Sequence, residues 1–201
     1  MTKRHLLMAG ALLALVIVGT VLGVRIWTDA RSDGTTGQAL IGGPFELVDH
    51  HGKTVTDADF AGRYMLIYFG YSFCPDICPL SLQTMTAAYD LLPAEQQAKI
   101  VPIFITVDPE RDTVEAMADY VGAFHQDLIG LTGNPEQIKA VARAYRVYYA
   151  KAMFDPESPD DYLVDHSSYY YLMGPDGSYV RHFGHDATEE DIARGIAEKL
   201  G

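Results

Sequence analysis

Two cysteines stand in the short segment that joins a predicted strand to a predicted helix, and no other part of the sequence constrains the fold as strongly. Residues 64–69 (YMLIYF) are continuously apolar, which is typical of a short strand buried on both faces. Cys74 and Cys78 follow, and Pro79 favours the first position of a helix that we expect to reach residue 92, with Cys78 as its N-cap. Functional sites of open α/β sheets lie beyond the carboxyl ends of such strands. The segment therefore predicts an α/β domain with a site at the two cysteines.

Predicted strands and helices alternate along the rest of the chain. Residues 100–107 (IVPIFITV) form a second continuously apolar run, and glycine-containing turns indicate two hairpins. We expect an α/β, thioredoxin-like fold, with a central sheet flanked by helices and an extra N-terminal hairpin. The predicted hairpins cover residues 45–56 and 169–183, an extended segment covers residues 147–153, and the other predicted helices cover residues 113–124, 134–145 and 188–200.

The first segment of the chain is typical of a membrane anchor. Residues 6–24 are 19 consecutive residues without a charge. At about 1.5 Å per residue, a helix of this length approaches the roughly 30 Å thickness of the hydrocarbon layer. A cleaved signal peptide is the alternative, although its apolar core usually has only about 7–15 residues. We predict an N-terminal transmembrane helix within an anchor at residues 1–27, a linker at residues 28–43, and the thioredoxin-like domain at residues 44–201.

Charge and cysteine content exclude several classes of protein. The chain has 15 Lys and Arg against 27 Asp and Glu, a formal net charge of -12, which excludes a basic nucleic-acid-binding surface. Two cysteines are too few for a disulfide-stapled small domain or a four-thiolate zinc site. They suffice for one redox pair or for two ligands of a metal ion.

A third metal ligand would have to come from elsewhere in the chain, and His166 is the strongest candidate. It precedes the predicted strand at residues 169–173, on a loop that faces the cysteines in thioredoxin-like folds. Thioredoxins usually place a cis-proline there, and this chain has no proline between Pro159 and Pro175. Two thiolates and one imidazole favour Cu(I), with zinc as the rival ion. The other histidines are weaker candidates for a metal ligand: His5, His50, His51, His125, His182 and His185.

Three blocks of sequence, in this order, give a specific resemblance. They are residues 70–79 (GYSFCPDICP), residues 107–113 (VDPERDT) and residues 161–167 (DYLVDHS). Together they resemble the Sco/SenC family of copper-binding, thioredoxin-like proteins, over nearly the whole chain beyond the linker. We interpret residues 108–113 as a structural turn and helix cap, with Asp112 able to shape the rim of the site.

The resemblance implies a membrane-anchored copper chaperone that assists assembly of the CuA centre of cytochrome c oxidase. It implies one copper ion per chain, Cu(I) or Cu(II), held by Cys74, Cys78 and His166. The expected location is a bacterial inner membrane, spanned once, with the C-terminal domain in the periplasm. Implied partners are the CuA-bearing subunit of the oxidase, a copper donor, a thiol reductant and the membrane itself, and nucleic acid is not among them.

Other functions use the same residues differently. A periplasmic thiol–disulfide oxidoreductase would use Cys74 and Cys78 as a redox pair to reduce the CuA-site cysteines, and it would not need His166. A copper or redox sensor would couple the same site to the membrane helix. A peroxidase of peroxiredoxin type and a metal-free structural domain are further alternatives. Whether the protein is an enzyme therefore stays open at this point, with a metallochaperone favoured.

Overall fold

A mixed β-sheet organises the residues that the computed structural model describes, which are 41–153 and 161–201. The strands are β1 (Glu46–Asp49), β2 (Thr54–Thr56), β3 (Tyr64–Gly70), β4 (Ile100–Thr106), β5 (Ile129–Thr132), β6 (Tyr149–Met153), β7 (Tyr162–His166), β8 (Tyr170–Met173) and β9 (Tyr179–Phe183). Seven of them lie in the order β2-β1-β5-β4-β3-β8-β9. Strands β3, β4 and β5 are parallel to one another, and the remaining neighbours pair antiparallel. Strands β6 and β7 form a separate antiparallel hairpin.

Helices connect the strands, and most begin at a side chain suited to capping. Thr113, Asn134 and Thr188 each accept a backbone hydrogen bond from the first helical turn that follows. These starts agree with the helices predicted from the sequence. The helices are α1 (Ile77–Asp90), α2 (Ala94–Gln97), α3 (Val114–Gly122), α4 (Pro135–Ala144) and α5 (Glu189–Leu200), with a 3-10 turn at Asp57–Phe60.

The two apolar runs are the central strands, as predicted. Every residue of β4 and all but the first residue of β3 are buried, because helices and neighbouring strands cover both faces. The two strands pair in parallel from Tyr64 opposite Ile100 to Gly70 opposite Thr106, so their carboxyl ends lie side by side. The fold is the predicted α/β, thioredoxin-like one, and the predicted hairpins are present as β1–β2 and β8–β9.

Three local features differ from the predictions. The helix α1 begins at Ile77 with Asp76 as N-cap, so the prediction that Cys78 is the N-cap was wrong. Pro79 fits the third helical position because the first-turn N–H groups have no partner within the helix. Strand β5 was not predicted. His166 is the last residue of a strand, β7, rather than part of a loop.

The predicted anchor at residues 1–27 and most of the predicted linker lie outside the described residues. Within the described ranges, no helix is long and apolar enough to cross a membrane. The anchor therefore stays a prediction from the sequence.

Substituting Gly130→Ala tests the packing of α3 on β5. A Cβ atom at Gly130 would lie 2.8 Å from Cγ1 of Val121 and 3.0 Å from Cε of Met117. We expect a loss of about 1–3 kcal/mol in the free energy of unfolding, measured by urea denaturation, because overpacking strains the core. Gly122→Ala is the matched control, since a Cβ there meets nothing within 4 Å. Equal stability of the two variants would contradict this packing.

Candidate metal centre

The two cysteines lie at the carboxyl end of β3, where the chain turns into α1. Cys74 lies in the connecting loop, and its backbone N–H donates to the carbonyl of Tyr71 at 3.3 Å. Cys78 lies in the first turn of α1, and its side chain is fully buried. The unpaired N–H groups and the dipole of a helix N-terminus favour negative charge, which makes this a suitable place for thiolates.

His166 completes a cluster with both sulfur atoms. Its Nε2 lies 3.2 Å from Sγ of Cys78, and the ligand atoms of Cys74, Cys78 and His166 all lie within 4.8 Å of one another. Within the part of the chain that the structure describes, no other three His, Cys, Asp or Glu side chains lie close enough together to hold a metal ion. The structure thus brings together the three side chains that the sequence singled out.

A hydrogen bond on the other side of the ring orients His166. Nδ1 lies 3.1 Å from the carbonyl oxygen of Ser167. A carbonyl can only accept, so Nδ1 carries the proton and Nε2 keeps its lone pair towards the sulfurs. The rings of Tyr68 and Tyr71 meet the imidazole edge to face, at centroid distances of 6.2 and 5.9 Å. These contacts hold the ring in the orientation that a metal ligand needs.

The two cysteines have opposite pKa shifts. The pKa of Cys74 is lowered to about 3, first because the Cys78 side chain hydrogen-bonds to its thiolate, while burial opposes this shift. The pKa of Cys78 is raised because it donates that hydrogen bond and because it is buried. At neutral pH the pair is therefore one thiolate and one thiol, and a metal ion that binds both sulfurs has one thiol proton to displace.

Gly70 makes room for the buried sulfur. A Cβ atom at this position would lie 2.8 Å from Sγ of Cys78 and 2.9 Å from Cε2 of Phe104. The last residue of β3 is therefore a glycine because the sulfur and the aromatic ring approach the backbone closely.

A buried carboxylate positions the cysteine loop, and sequence reasoning placed it only at the rim. Asp112 is fully buried, accepts a hydrogen bond from the Ser72 amide at 3.1 Å, and accepts others from the hydroxyls of Ser72 and Thr106. Burial raises the pKa of Asp112, and these hydrogen bonds oppose the rise. The signal in the sequence was the position of this residue just beyond the end of β4, the neighbour of β3.

The other described histidines serve different contacts. Nδ1 of His50 accepts from the Gly130 amide at 3.1 Å, and His125 lies 3.2 Å from the carboxylate of Asp90. The hydroxyl of Tyr179 lies against Nδ1 of His182. His51 and His185 are exposed. None of these five histidines belongs to the cluster of Cys74, Cys78 and His166.

The fold and the cluster define a class of protein: a thioredoxin-like domain in which a hairpin brings a histidine to two cysteines. A family model described as SCO1/SenC matches residues 33–201 of the chain. The chain therefore belongs to the SCO1/SenC family.

Curated relatives share nearly half of their aligned residues with this chain. Protein sco1 of Schizosaccharomyces pombe is 47% identical over 162 residues, which cover 81% of this chain and 62% of that protein. The mitochondrial SCO1 homolog of Homo sapiens is 46% identical over 165 residues, which cover 82% of this chain and 54% of that protein. The chain thus spans between half and two thirds of the length of these relatives.

Solved structures of similar proteins include domains with copper bound. ScoI of Arabidopsis thaliana with copper bound is 44% identical, with a TM-score of 0.71, and the match covers 80% of this chain and 98% of that one. ScoI of Bradyrhizobium japonicum with copper bound is 42% identical, also with a TM-score of 0.71. The match covers 79% of this chain and 98% of that one. Copper is thus the ion found in similar domains, and the present cluster could hold one metal ion.

Replacing Asp112→Asn tests the buried carboxylate. The amide retains the shape but cannot accept all the hydrogen bonds of Asp112, so we expect a loss of about 1–3 kcal/mol in the free energy of unfolding, measured with urea. Because burial raises the folded-state pKa of Asp112, proton binding stabilises the native wild type. The deficit of the variant should therefore grow as pH falls through that pKa.

Asp119→Asn is the control for this experiment, because Asp119 is an exposed residue of α3. We expect it to change stability by less than about 0.5 kcal/mol. A deficit of Asp112→Asn that shrinks at low pH would contradict the raised pKa.

Proposed function

We propose that this protein is a copper chaperone that binds one copper ion through Cys74, Cys78 and His166. The observation that carries the proposal is the mutual approach of the three ligand atoms, within 4.8 Å, in a domain similar to copper-bound ScoI proteins. Two sulfurs and one imidazole nitrogen form a donor set that suits Cu(I), because soft thiolates select soft ions.

The chain's own residues have separable tasks in copper binding. The Cys74 thiolate is available at neutral pH because its pKa is low, and it would take up the incoming ion. Cys78 then loses its proton to become the second sulfur ligand, and Nε2 of His166 supplies the third donor. Release to a partner would follow the same route in reverse, with the cysteines of the partner replacing these ligands one at a time.

The destination that we propose for the copper is the CuA centre of cytochrome c oxidase. A more distant solved relative, BsSco, is described as a member of the Sco family of cytochrome c oxidase assembly proteins, and its fold matches with a TM-score of 0.60. We further propose that residues 1–27 anchor the chain in a bacterial inner membrane and that the domain faces the periplasm. The partners would then be the CuA-bearing subunit, a copper donor and a thiol reductant.

A second candidate function is supported by the charge state of the cysteines. A low-pKa thiolate at Cys74 with a thiol beside it is the arrangement of a thiol–disulfide oxidoreductase, in which one sulfur attacks and the other resolves the mixed disulfide. This activity would reduce the cysteines of the CuA subunit before the metal arrives. It does not require an imidazole, so His166 distinguishes the two functions.

A Cu(I) competition titration of the reduced protein, as wild type and as His166→Ala, tests the chaperone proposal. We expect one tight equivalent in the wild type. The substitution should weaken binding by more than about a hundredfold, because loss of even a supporting residue costs about 10–100-fold in metal affinity. His182→Ala, at an exposed position, is the control and should bind as the wild type. Unchanged affinity in His166→Ala would favour the oxidoreductase.

The pH dependence of Cu(I) affinity tests the thiolate–thiol pair. Cys74 is already deprotonated at neutral pH because its pKa is about 3, so binding releases only the proton of Cys78. Affinity should therefore rise about tenfold per pH unit around neutral pH, below the raised pKa of Cys78. The measurement is the same titration at several pH values, corrected for protonation of the competitor. A rise of about a hundredfold per unit would mean that both thiols are protonated in the free protein.

A further inference from the structure

The hairpin that carries His166 is not part of the seven-stranded sheet. Strands β6 and β7 pair only with each other in the described part of the chain. The cysteine loop, in contrast, continues directly from β3, the strand in contact with β4 and β8. No strand pairing therefore fixes the hairpin against the sheet. The position of the imidazole relative to the two sulfurs depends on the short link from His166 to Tyr170, which pairs with Tyr68 of β3, and on contacts that side chains make with the hairpin.

Arg111 makes contacts of this kind. It lies in the loop that follows β4, and its Nη1 donates a hydrogen bond to the carbonyl of Tyr162 at 3.0 Å. The guanidinium carbon lies 3.7 Å from the centroid of the Tyr162 ring and 4.7 Å from that of Phe73. Tyr162 begins the strand that ends at His166, and Phe73 precedes Cys74. One side chain thus contacts both ligand-bearing segments.

Asp108 holds Arg111 in this position. Nε of Arg111 lies 2.5 Å from Oδ2 of Asp108, and the Tyr162 hydroxyl donates to Oδ1 of the same carboxylate at 2.9 Å. Asp108 is 2% exposed and Tyr162 5% exposed, so this ion pair is shielded from water on the carboxylate side. A carboxylate buried to this extent is stable only with its partners in place.

We propose that Arg111, clamped by Asp108, is a positioning residue for the third metal ligand. It fixes the start of β7 against the cysteine loop and thereby brings the His166 nitrogen to the two sulfurs. Arginine suits this task because its planar group can stack on an aromatic ring and donate hydrogen bonds in its own plane at the same time. A lysine ammonium is a point charge and cannot do both. The inference rests on the proposed copper binding by Cys74, Cys78 and His166.

A double-mutant cycle on Cu(I) affinity tests whether Arg111 acts through His166. The four proteins are the wild type, Arg111→Lys, His166→Ala and the double variant. We expect Arg111→Lys to weaken Cu(I) binding about tenfold in the wild-type background, the lower end of the effect of a residue that orients a ligand. In the His166→Ala background it should have an effect of less than about twofold, because the group that it positions is gone.

The matched control is Arg194→Lys, the same substitution at a second arginine. Arg194 lies on α5 and also pairs with an aspartate, Asp191, but both side chains are largely exposed. An exposed pair contributes little, so this variant should bind Cu(I) as the wild type does. A second readout is the nitrogen hyperfine splitting in the electron paramagnetic resonance spectrum of the Cu(II) form, which Arg111→Lys should weaken or broaden.

Each outcome of the cycle has one meaning. If Arg111→Lys weakens binding equally with and without His166, Arg111 acts on the cysteines or on the whole fold, and the positioning role is overturned. Unchanged affinity in Arg111→Lys overturns it as well. If His166→Ala itself leaves affinity unchanged, the proposed ligand set has failed, which is a different result from failure of the positioning role.

If urea denaturation shows that Arg111→Lys is not folded, Tyr162→Phe replaces it in the cycle. It removes only the hydroxyl that donates to Asp108 and keeps the ring and the backbone carbonyl that Arg111 contacts. We expect a smaller loss of Cu(I) affinity that again disappears in the His166→Ala background. A loss that persists in that background would overturn the proposal.

Discussion

The loop at residues 107–113 is the physical link on which the geometry of the site depends. Asp112 accepts hydrogen bonds from Ser72 and so holds the loop that carries the cysteines. Arg111, the preceding residue, contacts the start of the strand that carries His166. Both charges are paired or hydrogen-bonded, which is the condition under which burial of a charge is tolerated. Adjacent residues of one loop therefore set the distance between the sulfurs and the imidazole.

The sheet topology explains why this loop lies in the right place. Strands β3 and β4 are parallel and in register up to Gly70 and Thr106, so the segments that follow them emerge side by side. One segment carries the cysteines and the other carries Asp108, Arg111 and Asp112. This is the common location of sites in open α/β sheets. The β6–β7 hairpin is the additional element that provides an imidazole at this edge.

The central strands, the helix caps and the three candidate ligands could be predicted because each has a local signal: a continuous apolar run, a capping side chain, or cysteines beyond a strand end. Strand β5 has only four residues and includes Gly130, which is needed for the close approach of Val121, so its pattern is weak. The partners of Arg111 and Asp112 could not be predicted. Tyr162 is 51 residues away from Arg111, and Ser72 is 40 away from Asp112, and such contacts exist only in the folded chain.

The manner in which His166 is held separates the two chemistries that the cysteines can perform. The thiolate–thiol pair depends on the β3–α1 junction, which the central sheet fixes. The imidazole depends in addition on the contacts of the hairpin with Arg111 and on the rings of Tyr68 and Tyr71. A shift of the hairpin would therefore remove the third ligand while leaving the cysteine pair and the core intact. Redox chemistry needs only the pair, whereas stable copper binding needs the pair and the imidazole together. In this fold, a few side chains around Arg111 thus distinguish a copper site from a dithiol.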